Sequence, residues 1–229
     1  MSTPIRIISS MATKQVLADL IAAYRQESKQ QVVLESVGGV DAAKRVQAGE
    51  AFDVVILAAN AIEQLTKDGK VVAGSRVDLA KSGVSIAVKR GAPHPDVSSE
   101  EAVKHAVQSA STVSYSTGPS GVHLMKLFEA WGIAEDIKPR TVQAPPGVPV
   151  GSLVAKGEVA LGFQQLSELV HLDGIDVLGP LPAAIQIITT FSAGLTTTST
   201  QGDAVRALLA FMVSPASVKA KTSNGVEPA

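Results

Sequence analysis

Three apolar runs near the start of this chain restrict its fold more than any other feature. Ile5 to Ile8, Val32 to Glu35 and Asp53 to Leu57 each stop at a small-residue turn, and each turn opens a helical pattern. The turns are Ser9-Ser10-Met11-Ala12-Thr13, Ser36-Val37-Gly38-Gly39-Val40 and Ala58-Ala59-Asn60. Val54-Val55-Ile56-Leu57 shows no polar alternation, so both faces of that strand need cover. Strands of this kind belong in a parallel sheet with helices on both sides. A helix over Thr13–Glu27, with Val16, Leu17, Leu20, Ile21 and Tyr24 on one face, and a shorter one from Asp41 to about Gly49 supply that cover. Open α/β sheets bind ligands at the carboxyl ends of their strands, which is where these three turns lie.

The grammar repeats after Val72. Strands are expected at Ser82–Lys89, 141–143, Val159–Phe163, Asp176–Leu178 and Ile185–Phe191, and helices at Ser99–Ser109, Val150–Lys156 and 203–213, with a loop for the tail. The central unit is Ser114–Ile133, SYSTGPSGVHLMKLFEAWGI. A β-prone run stops at Thr117-Gly118-Pro119-Ser120-Gly121, and Leu124, Leu127, Phe128 and Trp131 then mark one helix face, ended by Gly132. Backbone N–H groups opening such a helix lack intrahelical partners and carry the positive end of its dipole, which suits an anion. Ser116, Thr117 and Ser120 add hydroxyl donors. The fold class is therefore α/β, with two lobes: 1–82 plus 192–229, and 83–191. The chain would cross between them near 81–86 and 186–193, leaving an interlobe cleft.

Composition excludes several classes. Of 229 residues only 3% are aromatic, and the net charge is −1 with no basic run, so no nucleic-acid footprint exists. The absence of cysteine excludes disulfides, thiolate metal sites and a cysteine nucleophile. His94, His105 and His171 show no metal-ligand spacing, and no Walker loop, dinucleotide fingerprint or nucleophile elbow occurs. No metal and no cofactor is expected, and no apolar run is long enough for membrane insertion. Met1-Ser2-Thr3 reads as a natural start without a signal peptide, so the expected location is the cytoplasm, or the periplasm if a leader was removed.

Longer stretches resemble a known family. GEVALGFQQLSEL, GIDVLGPLPAAIQ, TTFSAGL and AVRALLAFMVSPASVKAKTSNGVEPA, with AGEAFDVVILAA and SGVSIAVKRGAPHPD, are similar to the molybdate-binding-protein-like branch of the type 2 periplasmic-binding fold. The resemblance implies two α/β lobes joined by a two-strand hinge that closes on a ligand, in an ABC-type uptake system. Its enzymatic relatives include aconitate isomerase, which shifts an allylic proton on an unsaturated tricarboxylate. The family's molybdate residues carry over poorly. Its first-loop serine falls on Met11, beside Ser9 and Ser10, its second-loop serine on Gly39, and its tyrosine near Gln164 or Gln165.

What stands there instead is a set of nests, hydroxyls and amides: Ser9, Ser10, Met11, Thr13, Gly38, Gly39, Asn60, Ser116, Thr117, Ser120, Gly121, Gln164 and Gln165, with Ser167 nearby. Such a set suits a carboxylate better than a naked tetrahedral anion. The reading is a solute receptor for a small carboxylate or oxyanion. The alternative is a cytoplasmic isomerase of an unsaturated polycarboxylate, with His123 or a Lys14 of depressed pKa moving the proton. Partners are the small anion and, if the chain is exported, an ABC permease. Arg45 reads as a helix-surface residue, Arg76 as a possible cleft cation, and Glu168 as a helix N-terminal charge rather than a base.

Overall fold

The computed structural model describes residues 3–229; Met1 and Ser2, on which the reading of a natural start partly rests, lie outside them. Its described residues form two compact α/β units: unit 1 is the chain up to Ser82 plus Thr190–Ala229, and unit 2 is Gly83–Thr189.

In unit 1, β1 (Ile5–Ser10) lies between β2 (Val32–Val37) and β3 (Val54–Ala58), all parallel, with Ser10 opposite Val37 and Ser9 opposite both Ser36 and Ile56. The helices are α1 (Lys14–Glu27), α2 (Gly39–Gln47) and α3 (Ala59–Lys67). β4 (Val77–Lys89) enters unit 2 after Ser82. The two-faced burial expected of β3 is present. Val54 and Ile56 pack with Val16, Leu17 and Leu20 of α1, whereas Val55 and Leu57 pack with Val46 of α2 and Ile62 of α3. Each such side chain contributes about 1.5–3 kcal/mol by burial.

Unit 2 continues β4 and adds α4 (Glu100–Ser109), β5 (Val113–Tyr115), α5 (Pro119–Ala130), α6 (Ala134–Ile137), β6 (Thr141–Gln143), α7 (Val150–Lys156), β7 (Leu161–Gln165), α8 (Leu166–Leu169) and β8 (Ile175–Pro180). β7 lies between antiparallel β4 and parallel β5, while β6 extends the sheet beyond β5 and β8 pairs with β4. Alternation along β7 divides its residues. Leu161 and Phe163 join the core with Leu124 and Phe128 of α5, and Gly162 faces α7, where a β-carbon would lie 2.6 Å from Val154 Cγ2.

β9 (Ile188–Leu195) returns the chain to unit 1, where it pairs antiparallel with β3, and α9 (Gly202–Met212) covers the α1 side. The tail, expected as a loop over 223–228, follows α10 (Val218–Ser223) as a turn and ends in a short β10 (Glu227–Pro228) paired with β4. Its local sequence is polar, and docking against the core decides its structure: Lys221 is buried, and Asn224 donates to Asp19 Oδ2 on α1 at 2.8 Å.

Candidate functional site

The predicted residues fall into clusters within each unit. At the carboxyl ends of β1 and β2, Ser9 is fully buried, with its hydroxyl 2.8 Å from that of Ser36, so its bonding is largely used within the sheet. Thr13 Oγ1 donates to the Ser10 carbonyl at 3.1 Å and fixes the single 3₁₀ turn Met11–Thr13. Ser10 differs from both. It is 8% exposed, and its Oγ has no hydrogen-bond partner. A buried hydroxyl without a partner costs about 1–3 kcal/mol, which a ligand can return. Gly39 lies beside it, where a β-carbon would sit 3.6 Å from Ser10 Cβ.

Gly38 and Gly39 open α2 with no side-chain cap. Its first i→i−4 bond runs from Ala42 N–H to the Gly38 carbonyl, so the first-turn N–H groups have no partner inside the helix. Asp41, exposed in that turn, places an acid against the same dipole. Asn60 is exposed on the first turn of α3, and Lys14 is exposed as the first residue of α1. Met11 is half-buried.

In unit 2 the loop between β5 and α5 is drawn tight. Ser116 Oγ lies 3.4 Å from Ser120 Oγ and accepts from Gly118 N–H at 3.4 Å, and Thr117 is half-buried between them. Gly118 caps α5 without a side chain, and Pro119 opens the helix where its missing N–H costs nothing. Gly121 is required sterically: a β-carbon there would fall inside the envelope of the Ser116 carbonyl oxygen and within 2.9 Å of Tyr115 Cδ2. His123 is exposed two residues further on.

Gln164 and Gln165 are not beyond the strand, as the sequence pattern placed them, but are its last two residues, paired with Ser85 and Val84 of β4. Consecutive strand residues face opposite ways. Gln165 shares the α5-covered face of Phe163; its Nε2 donates to Thr189 Oγ1 at 2.7 Å, and its buried Oε1 has no partner. The Thr189 hydroxyl can donate as readily as accept. A half-turn of the amide therefore keeps that bond and turns the NH₂ into the open position, where it can serve an anion. Gln164 faces α7 instead: its Oε1 accepts from Gly151 N–H at 3.1 Å, capping the helix.

Glu168 is the residue read from the sequence as a helix N-terminal charge rather than a base. On the short α8 it is half-buried, and burial pushes its pKa up to about 7, opposed by a hydrogen bond with Gln164. It stands in the first turn of α8, where the sequence reading placed it. The i to i+4 spacing from Gln164 was its one visible signal. Ser167 is buried beside it.

Neither arginine is available to a ligand. Arg45 binds Glu50 through Nε at 2.7 Å, also pairs with Glu35, and lies over the Phe52 ring. The bonds from Glu50 and Glu35 raise its pKa. Arg76 is held by Asp78 at 2.7 Å and Glu63 at 2.5 Å. A cavity of about 750 Å³ in unit 2 lies at the amino ends of β5 and β7, with Thr112, Leu161, His94 and His105 in its lining, and includes none of the predicted residues. Among the described residues no group of three acidic or histidine side chains could hold a metal ion, and no helix is long and apolar enough to cross a membrane.

Known proteins match this chain along nearly its whole length. The family model of bacterial extracellular solute-binding proteins matches residues 5–227. An aconitate isomerase from a Pseudomonas species is 34% identical over 232 residues, covering 99% of this chain and 88% of that protein. Among solved structures, the periplasmic molybdate-binding protein of Azotobacter vinelandii superposes with a TM-score of 0.80 at 18% identity, over 97% of this chain and 98% of that one. The tungstate-binding protein TupA of Desulfovibrio alaskensis does so with a TM-score of 0.71 at 16% identity, over 99% of each chain. Identities this low speak for the fold alone, which is the type 2 periplasmic-binding fold.

Proposed function

This chain belongs to the bacterial extracellular solute-binding protein family, and we propose that it uses that fold to hold a small organic anion bearing carboxylates. One observation carries the reading. Two of the residues singled out at strand ends, Ser10 and Gln165, keep buried polar atoms without partners. Both can present an uncharged hydrogen-bond donor, while the arginines that could form a bidentate clamp are bound to carboxylates of the protein itself. Hydroxyls, amides and helix N-termini pair with carboxylate oxygens one bond at a time, and Met11 and Gly39 offer no side-chain donor for a compact tetrahedral shell.

A thermal-shift screen tests this. At about 100 times its Kd a ligand stabilises the native state by about 2.7 kcal/mol, which moves the midpoint of a chain this size by about 5–10 °C. cis- or trans-Aconitate is expected to produce that shift, and molybdate, tungstate and sulfate to produce little. A shift selective for molybdate would overturn the carboxylate reading. Ser10→Ala is expected to stabilise the unliganded protein, by about 1–3 kcal/mol, because it removes a buried hydroxyl that has no partner. Affinity, read by calorimetry, should fall by about tenfold or more, the value of a bond to a charged acceptor.

The aconitate isomerase relative favours a second reading, in which the bound anion is also turned over. Moving an allylic proton needs a group that both accepts and returns it near neutral pH. Interconversion of cis- and trans-aconitate followed by NMR decides between receptor and isomerase. No interconversion at high protein concentration would leave the receptor reading, with an ABC permease as its partner. A cytoplasmic location, read by cell fractionation, goes with the isomerase.

A further inference from the structure

The cavity at the amino ends of β5 and β7 takes no part in the anion reading. Its volume, about 750 Å³, falls within the span of small-molecule sites, about 300–1,000 Å³. It is built wholly from unit 2: the end of β4, the loop over 92–96, α4, the turn into β5 and the turn into β7. The space exists because the side chains around it are small. Ala92, Ala102, Ala106 and Ala160 stand where larger residues would fill it. Its floor is Val88, Val159 and Leu161, each almost wholly buried.

The walls are fixed by bonds of the protein itself. Thr112 Oγ1 accepts from Ala160 N–H at 2.8 Å, and the Thr112 carbonyl accepts from Leu161 N–H at 3.1 Å, which ties the two strand entries together. Pro93 and Pro95 restrict the rim loop. His94 between them lies 3.2 Å from Asp176 Oδ2, which also accepts from Gly91 N–H at 2.9 Å. A hollow that is already formed asks little ordering of the protein when it is filled.

Charge decides what fits. The carboxylates at the rim are spent, Asp176 on His94 and Gly91, and Asp96 on Ser98 N–H at 2.9 Å. Lys89, the last residue of β4, is exposed and lines the cavity, and no ion pair among the described residues involves it. Its ammonium rests against Gly157, where a β-carbon would lie 3.2 Å from Nζ. Glycine at that position, with φ +78°, both ends α7 and leaves room for the ammonium. The cavity thus presents apolar surface with one uncommitted positive charge at its edge.

We propose that this cavity is a second binding site, for a small apolar monocarboxylate whose carboxylate pairs with Lys89. A polycarboxylate does not suit it, because each further charge would lose water to apolar walls without gaining a partner. The site stands on unit 2 alone and is independent of the anion reading.

The probe is 2-naphthoate, added to the full ¹⁵N-labelled chain, with 2-naphthalenemethanol as its uncharged counterpart. 2-Naphthoate is expected to move the amide resonances of Ala102, Ala106, Ala160 and Leu161 saturably and to leave those of Ser10 and Ser116 in place. Ala160→Phe, a change on the exposed rim that fills the cavity, should abolish these shifts, and Ala102→Leu on α4 should weaken binding in the same way. Lys89→Met should weaken 2-naphthoate by about three- to fivefold, the value of a solvent-accessible charge pair, and the alcohol by less than about twofold. No saturable shift at millimolar probe, shifts confined to Ser10 and Ser116, or undiminished binding in both cavity-filling variants would overturn the site. Equal effects of Lys89→Met on the two probes would overturn the role given to its charge. The spectrum of each variant reports its fold independently.

Discussion

Replacing Gly121 by alanine should destabilise unit 2 by about 3 kcal/mol, at the upper end of the cost of overpacking. The reason is backbone against backbone. The added methyl meets the Ser116 carbonyl and the Tyr115 ring, and neither is the free end of a flexible side chain. Relief requires α5 to withdraw from the end of β5, which parts Ser116 Oγ from Ser120 Oγ and uncovers Leu124 and Phe128. Gly118→Ala is the matched control. Its β-carbon would meet nothing nearer than Ser116 Oγ at 3.6 Å, and its φ of −75° suits any residue. It should cost less than about 1 kcal/mol. Urea denaturation of both variants checks the contrast. Equal effects would mean that the turn tolerates movement of α5 and that Gly121 is not what holds it.

Glu168→Gln should make the protein more stable at pH 8, by about 3 kcal/mol, and erase part of its pH dependence. In the unfolded chain this carboxyl titrates near its ordinary 4.5, and in the native state burial raises it to about 7. Between those values the unfolded chain is ionised while the native state keeps the proton. The stabilisation from this group is complete below pH 4.5, falls as pH rises, and is gone above about 7. Each pH unit across that window is worth about 1.4 kcal/mol. Glutamine keeps a hydrogen bond to Gln164 and never ionises, so the variant should lack this fall. The difference in unfolding free energy, variant minus wild type, should grow from pH 4 to pH 8 and then level off. A difference independent of pH would show that the native carboxyl is not buried as described.

The sequence by itself determined the layered architecture, because apolar runs without alternation can be satisfied only between two covering layers. Val54 to Leu57 announced a strand buried on both faces, and the glycine- and serine-rich turns announced helices beginning at strand ends. α7 and β6 even have their expected bounds, fixed by a proline-rich stretch on one side and Gly157 at φ +78° on the other.

Tertiary structure decided what each polar residue at those ends is used for. Ser9, Ser10 and Thr13 look alike in sequence, yet Ser36 occupies the first, the Ser10 carbonyl takes the third, and only Ser10 keeps an open hydroxyl. Gln164 and Gln165 are adjacent and identical, but pairing with β4 extends the strand through both and sends them to opposite faces. Arg76 was an open candidate for a cleft cation and Arg45 a helix-surface residue, and the structure binds both to carboxylates between 2 and 13 residues away, Glu35, Glu50, Glu63 and Asp78. Beyond its four-residue spacing from Gln164, Glu168 carries no local sign of a raised pKa, because a carboxyl's pKa depends on how much water surrounds it. That is set by how α8 docks, and no pattern of neighbouring residues encodes it.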